Sequence, residues 1–214
     1  MKKKAAVLCV AAVSLGLLAS CGSTSVTENT VELKKNGKVI EYTVEDFSAS
    51  YYDADELTEF VDAQVASYLE DSDATVKVTK NEVEEQTAWV TIEYDSTDTY
   101  ADFTGTACFS GSVVQAQAAG YDFDVNFVSA DDETGEEEES SVIEGTVSGA
   151  SYLSGSEILE QDDLKVLIVG TAVDVIVPGT VRYVSADTAA ITGKSTVTTT
   201  AEINSDVLVY VVYE

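Results

Sequence analysis

Thr87-Ala88-Trp89-Val90-Thr91-Ile92-Glu93-Tyr94 alternates apolar and mixed residues along its whole length. Ala88, Val90, Ile92 and Tyr94 share one side; Trp89, Thr91 and Glu93 share the other. That period of two is the pleat of a strand with one dry face. The preceding segment has a different period. From Asp53 to Glu70, Leu57, Phe60, Val61, Val65, Tyr68 and Leu69 recur at three- and four-residue steps and form one apolar stripe of a long helix. Asp53 can cap it, Glu56 can complete a capping box, and Asp55 and Glu56 suit the positive end of the helix dipole. Such a stripe needs a sheet to cover, and Thr75–Lys80 with Thr87–Tyr94 supplies one.

Upstream, Val31–Lys35 and Lys38–Val44 flank Asn36-Gly37, a pair that accepts positive φ at both central positions of a tight hairpin turn. Downstream, Ser96–Phe103 reads as a short helix opened by Ser96 or Asp98, and the segment around Cys108 as a strand. Ser112–Ala119 reads as a second short helix, capped by Ser112 and stopped by Gly120. Tyr121, Phe123, Val125 and Phe127 then alternate with Asp122, Asp124 and Asn126, as in a strand. Asp131–Ser141 is a run of like charge that repels itself and predicts a loop or linker.

Beyond the acidic run the pattern is strand and turn, with no further helix: Val142–Val147, Leu164–Val169, Val173–Val177, Val181–Val184, Thr196–Ile203 and Val207–Tyr213. Val166-Leu167-Ile168-Val169 is apolar throughout, as a central strand covered on both faces requires. Pro178-Gly179 suits a type II turn. The expected class is α+β: a mostly antiparallel sheet with one long amphipathic helix, one or two short helices and a strand-rich C-terminal part. Residues 31–214 read as one domain whose late strands finish the sheet under the helix. A division into 31–130 and 142–214, the latter all-β, is the alternative.

The N-terminus has the three parts of an export signal: Lys2, Lys3 and Lys4, the 15-residue apolar stretch Ala5–Ala19, and small residues after it. A membrane-spanning helix needs roughly 20 apolar residues. Leu18-Ala19-Ser20-Cys21 resembles the lipobox of bacterial lipoprotein signals. The resemblance implies removal of residues 1–20, a diacylglyceryl group on the Cys21 thiol, further acylation of the new amino terminus with palmitate-like chains, and anchorage on the extracytoplasmic face of the cell membrane. Two or more chains hold stably where one is marginal, at about 0.8 kcal/mol per buried CH2. Residues 21–30 then form a flexible tether. An ordinary secretory cut after Gly22 is the competing reading.

Without Lys2, Lys3 and Lys4, 8 of the 11 basic residues face 39 acidic ones, a balance of −31. Nucleic-acid phosphates would be repelled by that charge, which excludes such partners. The charge equally disfavours an anionic leaflet lying along the body of the protein. Of three cysteines, Cys9 lies in the apolar signal stretch and Cys21 in the lipobox. Cys108 remains, in apolar surroundings, as a buried small hydrophobe without a disulfide. The chain has no histidine. A Cys-His pair, a Ser-His-Asp triad and the usual zinc sets are therefore excluded, and no cofactor is expected.

Several short motifs invite chemical readings. Gly193-Lys194-Ser195-Thr196 ends like a phosphate-binding loop, but Thr188 stands where the leading glycine belongs, so a hairpin turn is expected. Asp187-Thr188-Ala189 approximates an aspartic peptidase motif but has no second copy. Asp122, Asp124, Asn126 and Glu133 match calcium-loop positions 1, 3, 5 and 12, yet Phe127 occupies the glycine position. A looser candidate is weak divalent-cation binding by Asp122, Asp124, Asp131, Asp132, Glu133 and Glu136–Glu139. Tyr42, Phe47, Tyr51 and Tyr52 form an aromatic cluster before the helix, read as packing the helix onto the sheet, with a sugar-stacking platform as the alternative.

Tyr51-Tyr52-Asp53-Ala54-Asp55-Glu56-Leu57, Arg182-Tyr183-Val184-Ser185 and Val209-Tyr210-Val211-Val212-Tyr213 resemble segments of surface lipoproteins of Gram-positive anaerobes, a group whose resemblance implies no activity. The expected function is a non-enzymatic binding domain for a partner protein, an envelope polymer or a small solute. The alternatives are a glycoside-type hydrolase using paired carboxylates, and a structural accessory of an envelope complex.

Overall fold

A computed structural model describes residues 26–130, 152–200 and 207–214. The described residues form thirteen strands in two sheets and four helices, a strand-rich mixed fold. The proposed signal, Cys21, most of the tether, the acidic run and the expected strand at 142–147 lie outside the described residues.

The first sheet begins with β1 (Thr30–Leu33) and β2 (Val39–Asp46), paired antiparallel. Their turn uses one positive φ where the sequence suggested two. Gly37 lies at φ 84 while Asn36 keeps a negative φ. The Gly37 amide donates to Lys34 O and the Lys34 amide to Lys38 O, the pattern of a type I turn closed by a glycine bulge. The β3 strand (Val76–Glu84) runs four residues past its expected end into β4 (Thr87–Tyr94). Glu85 and Gln86 make the two-residue turn, both at positive φ, without the glycine or asparagine that would have signalled it.

Between the hairpins lies α1 (Ala54–Glu70), capped by the Asp53 carboxylate, which accepts from the amides of Asp55 and Glu56. One row of its stripe, Leu57, Val61, Val65 and Tyr68, is half-buried against the core. Phe60 and Leu69 are exposed, and no residue of α1 is fully buried. The next helix, α2 (Thr97–Thr104), is capped by Ser96 and ends at left-handed Gly105. Tyr68 packs edge-on against Phe103 and its hydroxyl donates to Asp102, which joins the two helices.

The second sheet begins with β5 (Cys108–Ser112), which leads directly into α3 (Val113–Ala118), capped by Ser112 and Gln115 in a capping box. Residues 121–125, expected as strand, are irregular; only β6 (Asn126–Ser129) joins the sheet. The alternation survives as burial, since Phe123 and Phe127 point inward, because apolar side chains seek the core whatever the backbone does.

After the acidic run come β7 (Tyr152–Ser154) and α4 (Gly155–Leu159), a helix where none was expected. Its Ser154 and Glu157 form a reciprocal capping box, a signal present in the sequence. At Gly155 any Cβ would collide with the Phe123 carbonyl, so glycine is required where α4 meets the 121–125 segment. The remaining strands are β8 (Lys165–Val169), β9 (Asp174–Ile176), β10 (Val181–Ser185), β11 (Ala189–Ile191), β12 (Thr196–Thr199) and β13 (Val209–Tyr213). Gly179 does not take the positive φ of a type II turn. It is instead a point of close approach, since a Cβ there would strike the Glu214 carbonyl.

The late strands neither finish one sheet nor stand apart. The first sheet has order β11-β12-β9-β1-β2-β4-β3 and the second β5-β8-β13-β10-β6-β7, so both mix strands from before and after the acidic run. All described pairings are antiparallel except β1 with β9. The sheets face each other across one core, with α1 and α2 packed against it, while α3, α4 and Phe123 cover the far side of the second sheet with another. Leu167 and Val169 enter the first core, Val166 and Ile168 the second, and Val211 and Val212 divide likewise. This double coverage explains why β8 and β13 are apolar at consecutive positions.

Candidate functional site

Burial places the chemically suggestive groups. Cys108 is buried, and desolvation pushes its thiol up to about 12, which makes it an inert hydrophobe rather than a nucleophile. Glu41 points between the sheets, where its carboxylate accepts from the Tyr94 hydroxyl at 2.6 Å; burial holds it above the usual carboxylate range. It lines none of the three grooves described below.

Asp122 and Asp124 are exposed and line a groove of about 590 Å³ that also holds Ser185, Asp187 and Thr188. The fold thus brings two of the proposed cation ligands beside the peptidase-like motif. The Asp124 amide donates to the Asp122 carboxylate at 2.9 Å. Ser185 is committed to structure: its hydroxyl bonds that of Thr188 and accepts from the Tyr210 amide. Among the described residues no three His, Cys, Asp or Glu side chains are arranged to hold a metal ion. Asp131, Asp132, Glu133 and Glu136–Glu139 lie outside the described residues.

Gly193-Lys194-Ser195-Thr196 forms the turn between β11 and β12, with hydrogen bonds closing on Thr196, as expected from its lack of the full phosphate-loop pattern. The turn borders a larger groove, about 1000 Å³, on the outer face of the first sheet along β12, β9 and β1. A third groove, about 750 Å³, lies between the β1–β2 turn and the start of α3, and shares Lys35, Pro178, Gly179 and Glu214 with the larger one.

The aromatic cluster departs from its expected packing role. Tyr51 is 78% exposed and Tyr52 47%. Phe47 and Tyr52 stack at 4.8 Å with an interplanar angle of 21°, and Tyr51 meets Tyr52 edge-on at 4.8 Å. Tyr42 is elsewhere, its hydroxyl donating to Glu32 on the outer face of the first sheet. The ledge of Phe47, Tyr51 and Tyr52 is braced from below. The Phe47 amide donates to Gln86 O at 2.7 Å, the Asp46 carboxylate accepts from the Ser48 amide, and the Tyr52 amide donates to Ala49 O. The Tyr51 hydroxyl foremost, and the Asp46 and Glu45 carboxylates further, hold the Tyr52 hydroxyl above its ordinary range. One sequence signal pointed outward: adjacent Tyr51 and Tyr52 cannot both face one core in an extended segment.

No known protein family, curated protein or solved structure matches the chain. Among the described residues no helix is long and apolar enough to cross a membrane.

Proposed function

We propose that this protein is a lipid-anchored, extracytoplasmic binding domain that recognises an envelope polysaccharide through the ledge of Phe47, Tyr51 and Tyr52. The observation that carries the reading is the exposure of this braced aromatic pair of tyrosines beside carboxylates. Large rings left in water cost hydrophobic free energy and are characteristic of surfaces that meet a partner. A pyranose ring offers an apolar C–H face to stack on such rings and hydroxyls to donate to Glu45 and Asp46. The acidic surface favours a neutral or amino-bearing sugar over an anionic polymer. Absence of histidine and burial of Cys108 and Glu41 support binding over catalysis.

We read α1 as amphipathic: one row of its stripe rests on the core, and Phe60 and Leu69 extend the apolar surface outward. The anchor is Cys21, and Cys21→Ser should shift the protein from the membrane fraction to an uncleaved or released form. For the ledge, co-sedimentation of the full-length protein with insoluble envelope glycan is the measurement. Tyr51→Ala with Tyr52→Ala should weaken binding at least tenfold while leaving the thermal midpoint nearly unchanged, since both rings are exposed. Undiminished sedimentation of the double variant would remove the ledge from the recognition surface.

A further inference from the structure

The large groove on the outer face of the first sheet carries carboxylates at one end and, at the other, two lysines beside the Arg182-paired carboxylate of Glu214. At one end stand Glu28 and Asp174, at the other Lys35 and Lys194. These four side chains form no hydrogen bond or ion pair among the described residues. The other carboxylates of the groove are committed. Glu32 accepts from Lys34 at 2.6 Å and from Tyr42 at 2.8 Å, and Glu214 from Arg182 at 2.6 Å.

We propose that this groove is a binding site for a short extended peptide with free ends, its ammonium at Glu28 and Asp174 and its carboxylate at Lys35 and Lys194. Sheet register fixes the spacing. Asp174 lies beside Thr30, and Ile176 lies between Glu32 and Thr196. Beyond Ile176, the Val177 amide donates to Ser195 O and the Val181 amide to Lys194 O, which places Lys194 beside the 177–181 segment. At the rise of an extended chain, the four steps from Asp174, the first residue of β9, to Pro178 just beyond it span about 13 Å, the length of an extended peptide of about four residues. The floor between the charged ends is Ile176 with the hydroxyls of Thr196 and Thr198 on the β12 side, able to meet small side chains and peptide groups; the Thr30 hydroxyl is buried and donates to Glu28 O. In a chain with 39 acidic residues, two lysines left unpaired at one end of a groove are available for an anionic group. The ledge residues do not line this groove, so the site stands apart from polysaccharide recognition.

Calorimetric titration of the full-length protein in detergent with tetra-alanine tests the site. Binding in the micromolar to millimolar range is expected. N-acetylation or C-amidation of the probe should each weaken it about tenfold, and hexa-alanine should gain nothing. Lys194→Ala with Lys35→Ala should weaken tetra-alanine about tenfold and abolish the effect of amidation alone. Asp174→Asn with Glu28→Gln should abolish the effect of acetylation alone. Glu28, Lys35 and Lys194 are exposed and Asp174 is half-buried; an unchanged thermal midpoint of each double variant reports an intact fold. No heat at 10 mM tetra-alanine, or equal binding of free and capped peptides, overturns the proposal. Binding that survives both double variants overturns it as well. Loss of glycan sedimentation in the Tyr51 and Tyr52 variant bears on the ledge alone.

Discussion

Glu41 and Asp95 are shifted in opposite senses by their surroundings. Burial raises Glu41, against the partial opposition of the Tyr94 hydrogen bond, so the native state keeps its proton where the unfolded chain has lost it. Its contribution is most favourable below the ordinary carboxylate range and is lost as pH rises through the window up to the raised native value. Asp95 is lowered, first by the Thr99 hydroxyl and then by the Thr75 amide; its contribution is present at neutral pH and is lost as pH falls below the ordinary value. Glu41→Gln keeps an acceptor for Tyr94 and removes a buried charge. It should raise stability at neutral pH and flatten the stability profile above the ordinary carboxylate range in denaturant titrations. At the β3–β4 turn, Gln86 sits at φ 66 without glycine's freedom. Gln86→Gly should stabilise by about 0.5–1 kcal/mol, raising the thermal midpoint by about 1–4 °C for a chain of this size. Neither effect was legible in the sequence: Glu41 reads as an ordinary outward residue of an alternating strand, and Glu85-Gln86 carries no turn signature.

At the scale of elements, periodicity was informative wherever one face met one environment. Thr87–Tyr94 became β4 with the expected inward row, all four residues buried, and Val166–Val169 became a strand fully enclosed on both sides. Leu167→Ala and Ile168→Ala should therefore each cost about 2–5 kcal/mol in chemical unfolding, although their side chains enter different cores. A sheet covered on one side only would make the two substitutions unequal. Caps were largely readable: Asp53 and Ser112 each begin a helix, and of the two candidates for α2 it is Ser96, not Asp98, that caps it. Asp53→Ala should cost about 1 kcal/mol by loss of the bonds to two orphan amides. The short α4 escaped notice because five residues cannot display a helical period, even though Ser154 and Glu157 spelled its box. Tyr51 and Tyr52 depart from the packing role expected of aromatic residues before a helix; they stand outward where the hydrogen bonds of the Asp46–Ala49 segment brace the backbone beneath them.

For the whole molecule, a net charge of −28 acts on stability without choosing the topology. Raising salt from 10 to 500 mM should raise the thermal midpoint by screening self-repulsion, and a fall would mean that the few ion pairs, such as Lys38–Glu93, outweigh it. Composition and local pattern alone determined much: a strand-rich chain, a capped long helix, a doubly covered strand, and a chemistry without histidine. These are properties of neighbours in the chain, set by backbone sterics and side-chain polarity. Only the tertiary structure decided that the late strands divide between two sheets, that β9 lies parallel to β1, and that Glu28, Asp174, Lys35 and Lys194 line one groove. Those outcomes depend on which distant surfaces bury each other best. Val31, Val175 and Leu167 carry no mark of their partners until the two sheets close on a common core.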